Sequence, residues 1–233
     1  MNPIIKAARA FSRKAREKRA SMFRDAFMLD ENTKILDLGS ETGSNIHAVL
    51  QGTLVKPENV YIADIDPGLI ERGKDEFGFV PIWIGESKTL PFPDGYFDIV
   101  YCSSVIEHVT VPKEYVWSMY SGSEFVRESL KHQKEFADEI KRVGRQYFVQ
   151  TPHKYFPIES HSWLPFVALL PRRILIPVLH LTNSFWVKKT SPDWHLLDKK
   201  EISNLFKDAK IITEKSFGLS KSIMAVRSVS GRG

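Results

Sequence analysis

A regular alternation of short β-rich runs and helical segments between residues 34 and 150 constrains this chain most. Five runs of five or six mostly apolar residues predict strands, and the segments between them carry the polarity and capping signals of helices. The predicted strands span residues 34–38, 60–64, 80–84, 97–102 and 146–150. This spacing predicts an α/β fold: a doubly wound, mostly parallel sheet with helices on both faces.

Segments on either side of this core are less regular. Residues 1–29 predict a basic N-terminal helical segment, residues 30–227 the main domain, and residues 228–233 a frayed tail. Residues 152–190 interrupt the alternation with two apolar pieces, and predict an apolar helical insertion after strand five. This insertion forms either a lid or substrate region, or a helical pair that packs on the core.

Charge is unevenly distributed along the chain. Residues 1–24 contain eight basic residues and one acidic residue, a net charge of +7, whereas the remainder is net −2. Such a segment either lies on phosphate or an anionic membrane, or forms a solvated helical face. The single cysteine, Cys102, fits a reducing compartment. We therefore expect a cytoplasmic protein, with peripheral membrane association as an open alternative.

A strand that ends in an acid, a turn and a helix together favour a nucleotide-type site. Asp37 ends the first strand, and the turn after it contains Gly39 and Gly43. Glycines let the backbone approach a ligand, and the following helix offers free N–H groups. Asp64 ends the second strand, about 20 residues further on, where an acid can accept hydrogen bonds from ribose hydroxyls.

These motifs resemble those of the class I S-adenosylmethionine (SAM)-dependent methyltransferases, and of their type-11 methyltransferase-like domain in particular. Residues 35–43 are similar to the family's Asp-x-Gly-x-Gly-x-Gly motif, and residues 62–67 to its second motif. The pattern Leu-Pro-Phe-x-Asp-Gly-x-Phe-Asp, which begins at Leu90, is the most specific, and residues 103–109 match the loop after strand four. The resemblance covers roughly residues 30–150 and implies a Rossmann-like fold with SAM as cofactor.

The resemblance also implies roles for single residues. Asp37 would organise the turn, Asp64 would hold the ribose, and Ile65 would pack on the adenine. Two positions depart from the family pattern: Glu41 replaces the middle glycine, and Glu86 replaces an aspartate beside the adenine amino group. Glu41 must therefore turn its side chain away from the cofactor, or attract the cofactor's positive charge. The implied cofactor-binding residues are Asp37, Gly39, Glu41, Gly43, Asp64, Ile65, Glu86, Ser87 and Ser103.

A nitrogen or oxygen acceptor would need a base to take its proton. Candidates are His108, after strand four, and Glu159 and His161, after strand five, although Glu159 and His161 can equally tie down an irregular loop. His153 is a further candidate, whereas Trp194 and His195 are expected to be structural. No Cys/His spacing indicates a metal site.

The acceptor itself is left open by the sequence. The resemblance favours transfer to a saccharide or a lipid-linked glycan precursor, with residues 1–24 and 163–189 resting on an anionic membrane surface. A non-catalytic SAM-binding protein and a nucleic-acid methyltransferase are the alternatives. Nucleic acid is the less favoured partner, because Ser103-Ser104 stand where amino-methylating DNA enzymes carry an Asn/Asp-Pro-Pro-aromatic motif. The Gly-x-Gly-x-x-Gly spacing of nicotinamide-dependent oxidoreductases is absent.

Overall fold

A computed structural model of the chain describes residues 3–85, 87 and 89–229, with side chains from residue 13 onward. One seven-stranded sheet forms its centre. The strands are β1 (Ile35–Leu38), β2 (Val60–Asp64), β3 (Val80–Trp83), β4 (Phe97–Ser103), β5 (Gly144–Pro152), β6 (Lys210–Ser216) and β7 (Leu219–Arg227). The helices are α1 (Pro3–Ala26), α2 (Ser44–Leu50), α3 (Pro67–Phe77), α4 (Gly122–Val143), α5 (Arg172–Thr182) and α6 (Lys199–Leu205).

The order of the strands confirms the predicted α/β, mostly parallel fold. It is β3-β2-β1-β4-β5-β7-β6, in which the first five strands run parallel and β7 runs antiparallel to both of its neighbours. The order reverses between β1 and β4, and in open α/β sheets ligands bind outside the carboxyl ends of the strands at such a switch point.

The sheet is buried on both faces. Leu36 and Leu38 of β1 belong to one apolar cluster, together with Ile140 of α4 and Ile202 of α6. Ile35 belongs to a second cluster, which α1, α2 and α3 cover. Every residue of β1 is buried, as a central parallel strand requires.

The predicted basic N-terminal segment is helical and contributes to the core. Phe23 of α1 is fully buried, with its ring centroid 5.3 Å from that of Tyr101 and 5.6 Å from that of Phe148. Arg19 of the same helix donates a hydrogen bond of 3.0 Å to Glu214 on β6. Helix α1 thus buries Ala15, Ala20 and Phe23, while its basic residues Arg13, Lys14, Arg16 and Lys18 are exposed.

The insertion differs from its prediction. Its second apolar piece forms α5, but the first forms only a three-residue 3-10 turn, Val167–Leu169. Trp163 and Phe166 have φ angles of 61° and 57°, and Pro165 lies between them, so this stretch cannot continue as an α-helix. The prediction of a helical pair was wrong for residues 163–170. Val167, Leu175 and Leu179 of the insertion form a small apolar cluster with Trp194 and Leu196, which follow it in the chain.

Candidate functional site

A cavity of about 320 Å³ lies at the carboxyl ends of β1 and β4, at the switch in strand order. The turn after β1 forms its floor, and α1 crosses beside it. The lining residues are Arg16, Arg19, Asp37, Gly39, Ser40, Glu41, Ser44, Asn45, Ser103 and Ser104. Sequence reasoning missed Arg16, Arg19 and Asn45, because only the folding back of α1 and α2 brings them here.

The two glycines of the turn are required by its geometry. Gly39 has a φ of +75°, and a Cβ at this position would lie 2.5 Å from Val105 Cγ2. Gly43 has a φ of +74°, and its Cβ would lie 2.8 Å from Ile62 Cγ2. Both glycines therefore let the turn pack tightly on the domain, and Gly39 also lines the cavity.

Glu41 adopts the left-handed backbone conformation that a glycine would adopt freely. Its φ is 52°, which costs a non-glycine residue on the order of 1 kcal/mol. Its backbone N–H donates a hydrogen bond of 2.8 Å to Asp64 Oδ2, which helps to hold this conformation. The side chain is exposed at the rim of the cavity.

Two carboxylates in the turn region, those of Asp37 and Asp64, differ in their hydrogen bonding. Asp37 is buried, and its Oδ2 has no hydrogen-bond partner among the described residues. Burial raises the pKa of Asp37 well above its ordinary value, and the charges of Asp64 and Glu41 add to the effect. Asp64 is instead fixed by backbone amides, because Glu41 N–H binds its Oδ2 and Asp66 N–H binds its Oδ1. A cationic ligand group would satisfy Asp37.

Of the remaining predicted cofactor residues, Ser103 lines the cavity, whereas Ile65 and Ser87 do not. Ile65 is exposed at the end of β2, beside Trp83, whose indole N–H donates a hydrogen bond of 3.2 Å to the Ile65 carbonyl. Ser103 lines the cavity and donates to Gln150 Oε1 at 2.7 Å. Ser87 bonds within its own turn, to the carbonyl of Thr89.

Glu86 lies outside the described residues. Trp83 was missed by sequence reasoning. Its position as the last residue of β3, in register with Asp64, is the signal that could have found it.

A second group of polar side chains surrounds the predicted base candidates. His161 Nδ1 lies 2.6 Å from Glu159 Oε1, and its Nε2 lies 3.7 Å from Oε1 of Glu107. The rings of His108 and His161 meet edge to face with centroids 4.5 Å apart. The structure therefore brings His108, Glu159 and His161 together and adds Glu107, a buried residue that sequence reasoning did not select.

The charges of this group are fixed by mutual contacts. Burial alone would lower the pKa of His161, but the carboxylates of Glu107 and Glu159 raise it to about 9. Burial opposes ionisation of Glu159, yet hydrogen bonds from His161 and Ser162 keep its pKa below the ordinary value. At neutral pH His161 therefore holds its proton, and both oxygens of Glu159 accept hydrogen bonds from the loop that follows it.

The other histidines of this region have distinct surroundings. Nδ1 of His108 faces Asp193 Oδ2 at 3.5 Å, and its side chain is 36% exposed. His153 Nδ1 accepts a hydrogen bond from the backbone of Tyr155. His195 is buried against Gln133, and burial lowers its pKa to about 4, as suits a neutral structural side chain.

Comparisons with known proteins agree with this architecture. A family model described as a methyltransferase domain matches residues 36–121, from β1 through the loop after β4. The match covers somewhat more than a third of the chain, so the similarity to a methyltransferase domain is established for this part. This match indicates SAM as the cofactor.

Individual relatives match either over a limited part of the chain or at low sequence identity. The ubiquinone/menaquinone biosynthesis C-methyltransferase UbiE of Vibrio vulnificus is 31% identical over 93 residues, which are 37% of this chain and 35% of the relative. The chain thus spans about a third of the length of the curated relatives it matches.

Solved structures extend the match over nearly the whole fold. Magnesium protoporphyrin IX methyltransferase (ChlM) of Synechocystis PCC 6803, with bound SAH, has a TM-score of 0.53 and 15% identity, covering 98% of this chain and 89% of that chain. Loganic acid methyltransferase with SAH has a TM-score of 0.50 and 14% identity, covering 91% and 72%. At these identities the likeness establishes the fold.

Among the described residues, no helix combines the length and apolar character needed to cross a bilayer.

Proposed function

We propose that this protein binds SAM in the cavity at the ends of β1 and β4 and transfers its methyl group to an acceptor held near Glu107, His108 and His161. The observation that carries the proposal is the buried, unpaired Oδ2 of Asp37 at the cavity wall. The amino acid part of SAM has a cationic amino group that suits this oxygen, and a carboxylate that suits Arg16 and Arg19 at the same cavity. Bound SAM supplies the reactive methyl carbon.

The cofactor residues have separable tasks in this proposal. Asp64, fixed by two backbone amides, accepts hydrogen bonds from the ribose hydroxyls. Ile65 and Trp83 form an exposed apolar pair at the ends of β2 and β3, against which the adenine ring packs. Gly39 and Gly43 let the turn that forms the cavity floor pack closely on the domain. Ser103 contributes a hydroxyl at the cavity wall.

Replacing Asp64 with asparagine is expected to weaken binding of SAM and of SAH by about tenfold or more. A neutral amide accepts ribose hydrogen bonds less strongly than a carboxylate, and a charged hydrogen bond contributes about 1.5–3 kcal/mol. Isothermal titration calorimetry on Asp64→Asn measures the loss. The matched control is Asp75→Asn, an exposed aspartate on α3. Equal affinities for the two variants would contradict the assigned role of Asp64.

The groups beyond the cavity are proposed to act on the acceptor. His161 keeps its proton at neutral pH, so its imidazolium is suited to orient an acceptor oxygen rather than to take a proton. Glu159 is occupied by His161 and Ser162 and holds this loop in place. His108, which is part-exposed and faces Asp193, is the candidate base.

The acceptor is proposed to be a saccharide or a lipid-linked molecule reached at a membrane surface. Several large apolar side chains of the insertion are exposed, and so are its basic residues Arg173 and Lys189. A depression of about 560 Å³ between α1 and α2 is lined by Arg13, Arg16 and Arg24, which suit anionic headgroups. The exposed apolar residues of the insertion are Tyr155, Ile158, Phe166, Leu169, Ile174, Leu181, Phe185 and Val187.

A double substitution on α5, Ile174→Glu with Leu181→Glu, is expected to reduce binding to anionic vesicles at least about fivefold. Burial of each side chain in the bilayer interface contributes on the order of 1–2 kcal/mol, which the glutamates remove and replace with repulsion. Sedimentation with phosphatidylglycerol-containing vesicles measures the change. Met28→Glu with Leu54→Glu alters two exposed apolar residues outside the insertion and is the control. Vesicle binding that is equal for the two double variants would argue against the membrane surface.

A further inference from the structure

A cluster of metal-ligand side chains lies between the ends of β4 and β5. Glu107, His108 and His161 each offer one ligand atom, and these atoms lie within 4.8 Å of one another. Glu107 and His108 belong to the 3-10 turn that follows β4, whereas His161 lies in the loop that follows β5. The spacing in the sequence predicted no metal site, because the parallel pairing of β4 and β5 joins two segments that are far apart in the chain.

The Glu107 carboxylate is fully buried but only half satisfied. Its Oε2 accepts a hydrogen bond of 3.0 Å from the Thr151 hydroxyl, while its Oε1 has no hydrogen-bond partner among the described residues. The nearest cationic atom is His161 Nε2, at 3.7 Å, which is too long for a hydrogen bond. An unsatisfied carboxylate oxygen in a buried site is costly, so this oxygen is suited to a ligand that sits between Glu107 and His161.

His161 has the outer hydrogen bond that metal-binding histidines usually have, and His108 has a carboxylate close to its Nδ1. Nδ1 of His161 is 2.6 Å from Glu159 Oε1, and Nδ1 of His108 faces Asp193 Oδ2 at 3.5 Å. A histidine that donates its Nδ1 proton to a carboxylate keeps Nε2 as the ligand atom, with its ring orientation fixed. On His161 this Nε2 is the atom directed at Glu107.

We propose that Glu107, His108 and His161 bind one divalent transition-metal ion. Two imidazoles and one carboxylate are a ligand set that suits Zn²⁺, Co²⁺ or Fe²⁺, and three protein ligands leave a coordination position for water or a substrate oxygen. The ion would replace the proton that Glu107 and Glu159 now hold on His161. The inference rests on these contacts alone. A bound ion would occupy His108 and His161 and so exclude the acid–base roles proposed for them, whereas the SAM site at Asp37 does not depend on it.

The test is direct metal binding by the purified full chain after treatment with a chelator. Calorimetry with Zn²⁺ and absorption spectroscopy with Co²⁺ are expected to give one ion per chain, with a Kd of about 1 µM or below. His108→Asn and His161→Asn are each expected to weaken binding at least about tenfold and to change the cobalt spectrum. His47→Asn, an exposed histidine on α2, is the matched control.

His108→Asn is the decisive variant. The side chain of His108 is part-exposed, and its removal leaves the buried pair of Glu107 and His161 intact. Circular dichroism checks that each variant is folded. Failure to bind Zn²⁺ saturably up to about 100 µM, or binding that both histidine variants leave unchanged, would overturn the proposal. The first of these results would identify the cluster as an ion pair of His161 with two glutamates.

Discussion

Arg172→Met is expected to lower the free energy of unfolding of the insertion by about 3 kcal/mol or more, because it removes a buried guanidinium that binds three carbonyls. Arg172 begins α5 and donates hydrogen bonds of 2.8 Å to the carbonyls of Met119 and Pro192, and a third to that of Val116. Its guanidinium also lies 3.6 Å from the ring centroid of Phe125.

The surroundings of Arg172 explain the size of this effect. Burial lowers the pKa of its guanidinium to about 10, and a positive charge at a helix N-terminus is unfavourable. The carbonyls must therefore outweigh both costs. Methionine keeps much of the side-chain volume but leaves all three carbonyls without their donor. Because these carbonyls belong to the loop before α4 and to the segment after α5, the contact joins the insertion to the rest of the domain.

Chemical denaturation, with hydrogen exchange to localise the loss, measures the effect of Arg172→Met. The neighbouring Arg173 is exposed, so Arg173→Met is the control and is expected to change stability by less than about 0.5 kcal/mol. If Arg172→Met and Arg173→Met unfolded at the same denaturant concentration with the same exchange pattern, the assigned role of Arg172 would be wrong.

Gly73→Ala is expected to destabilise the domain by about 2–3 kcal/mol and to weaken SAM binding at least about tenfold. A Cβ on Gly73 would lie 2.3 Å from the carbonyl oxygen of Thr42 and 2.5 Å from Ile62 Cδ1. The Thr42 carbonyl belongs to the turn between Gly39 and Gly43. The alanine therefore forces α3 away from the turn, although Gly73 lines no part of the cavity.

Thermal unfolding and calorimetry with SAH measure the two effects of Gly73→Ala on one sample. Gly122→Ala provides the control, because Gly122 begins α4 and a Cβ there meets nothing within 4 Å. Loss of stability with normal SAH affinity would separate the packing of α3 from the shape of the turn, and would contradict the coupling proposed here.

The regular part of the fold could be predicted because its signals are local. Residues 60–64 form β2 with the predicted bounds, and strands lie at the other four predicted places as well. The insertion could not be predicted in the same way. Its first piece is apolar enough for a helix, but Glu159 fixes the following backbone through the N–H groups of His161 and Ser162.

In the candidate site too, residues in local sequence motifs could be predicted, whereas residues placed by tertiary contacts could not. Asp37, Gly39 and Asp64 could be identified because each lies in an ordered local motif. Glu107 could not, because its environment depends on the neighbouring strand β5 and on the loop that contains His161. Arg16 could not either, because it reaches the cavity only when α1 packs on the sheet.

The position of β7 has a consequence for how the protein is made. β7 is the last strand of the sheet in chain order, yet it lies between β5 and β6. Until β7 has been synthesised, β5 has an unpaired edge and β6 lacks the strand with which it pairs. A chain that stops before β7 therefore exposes the β5 edge, which can pair with a strand of another chain.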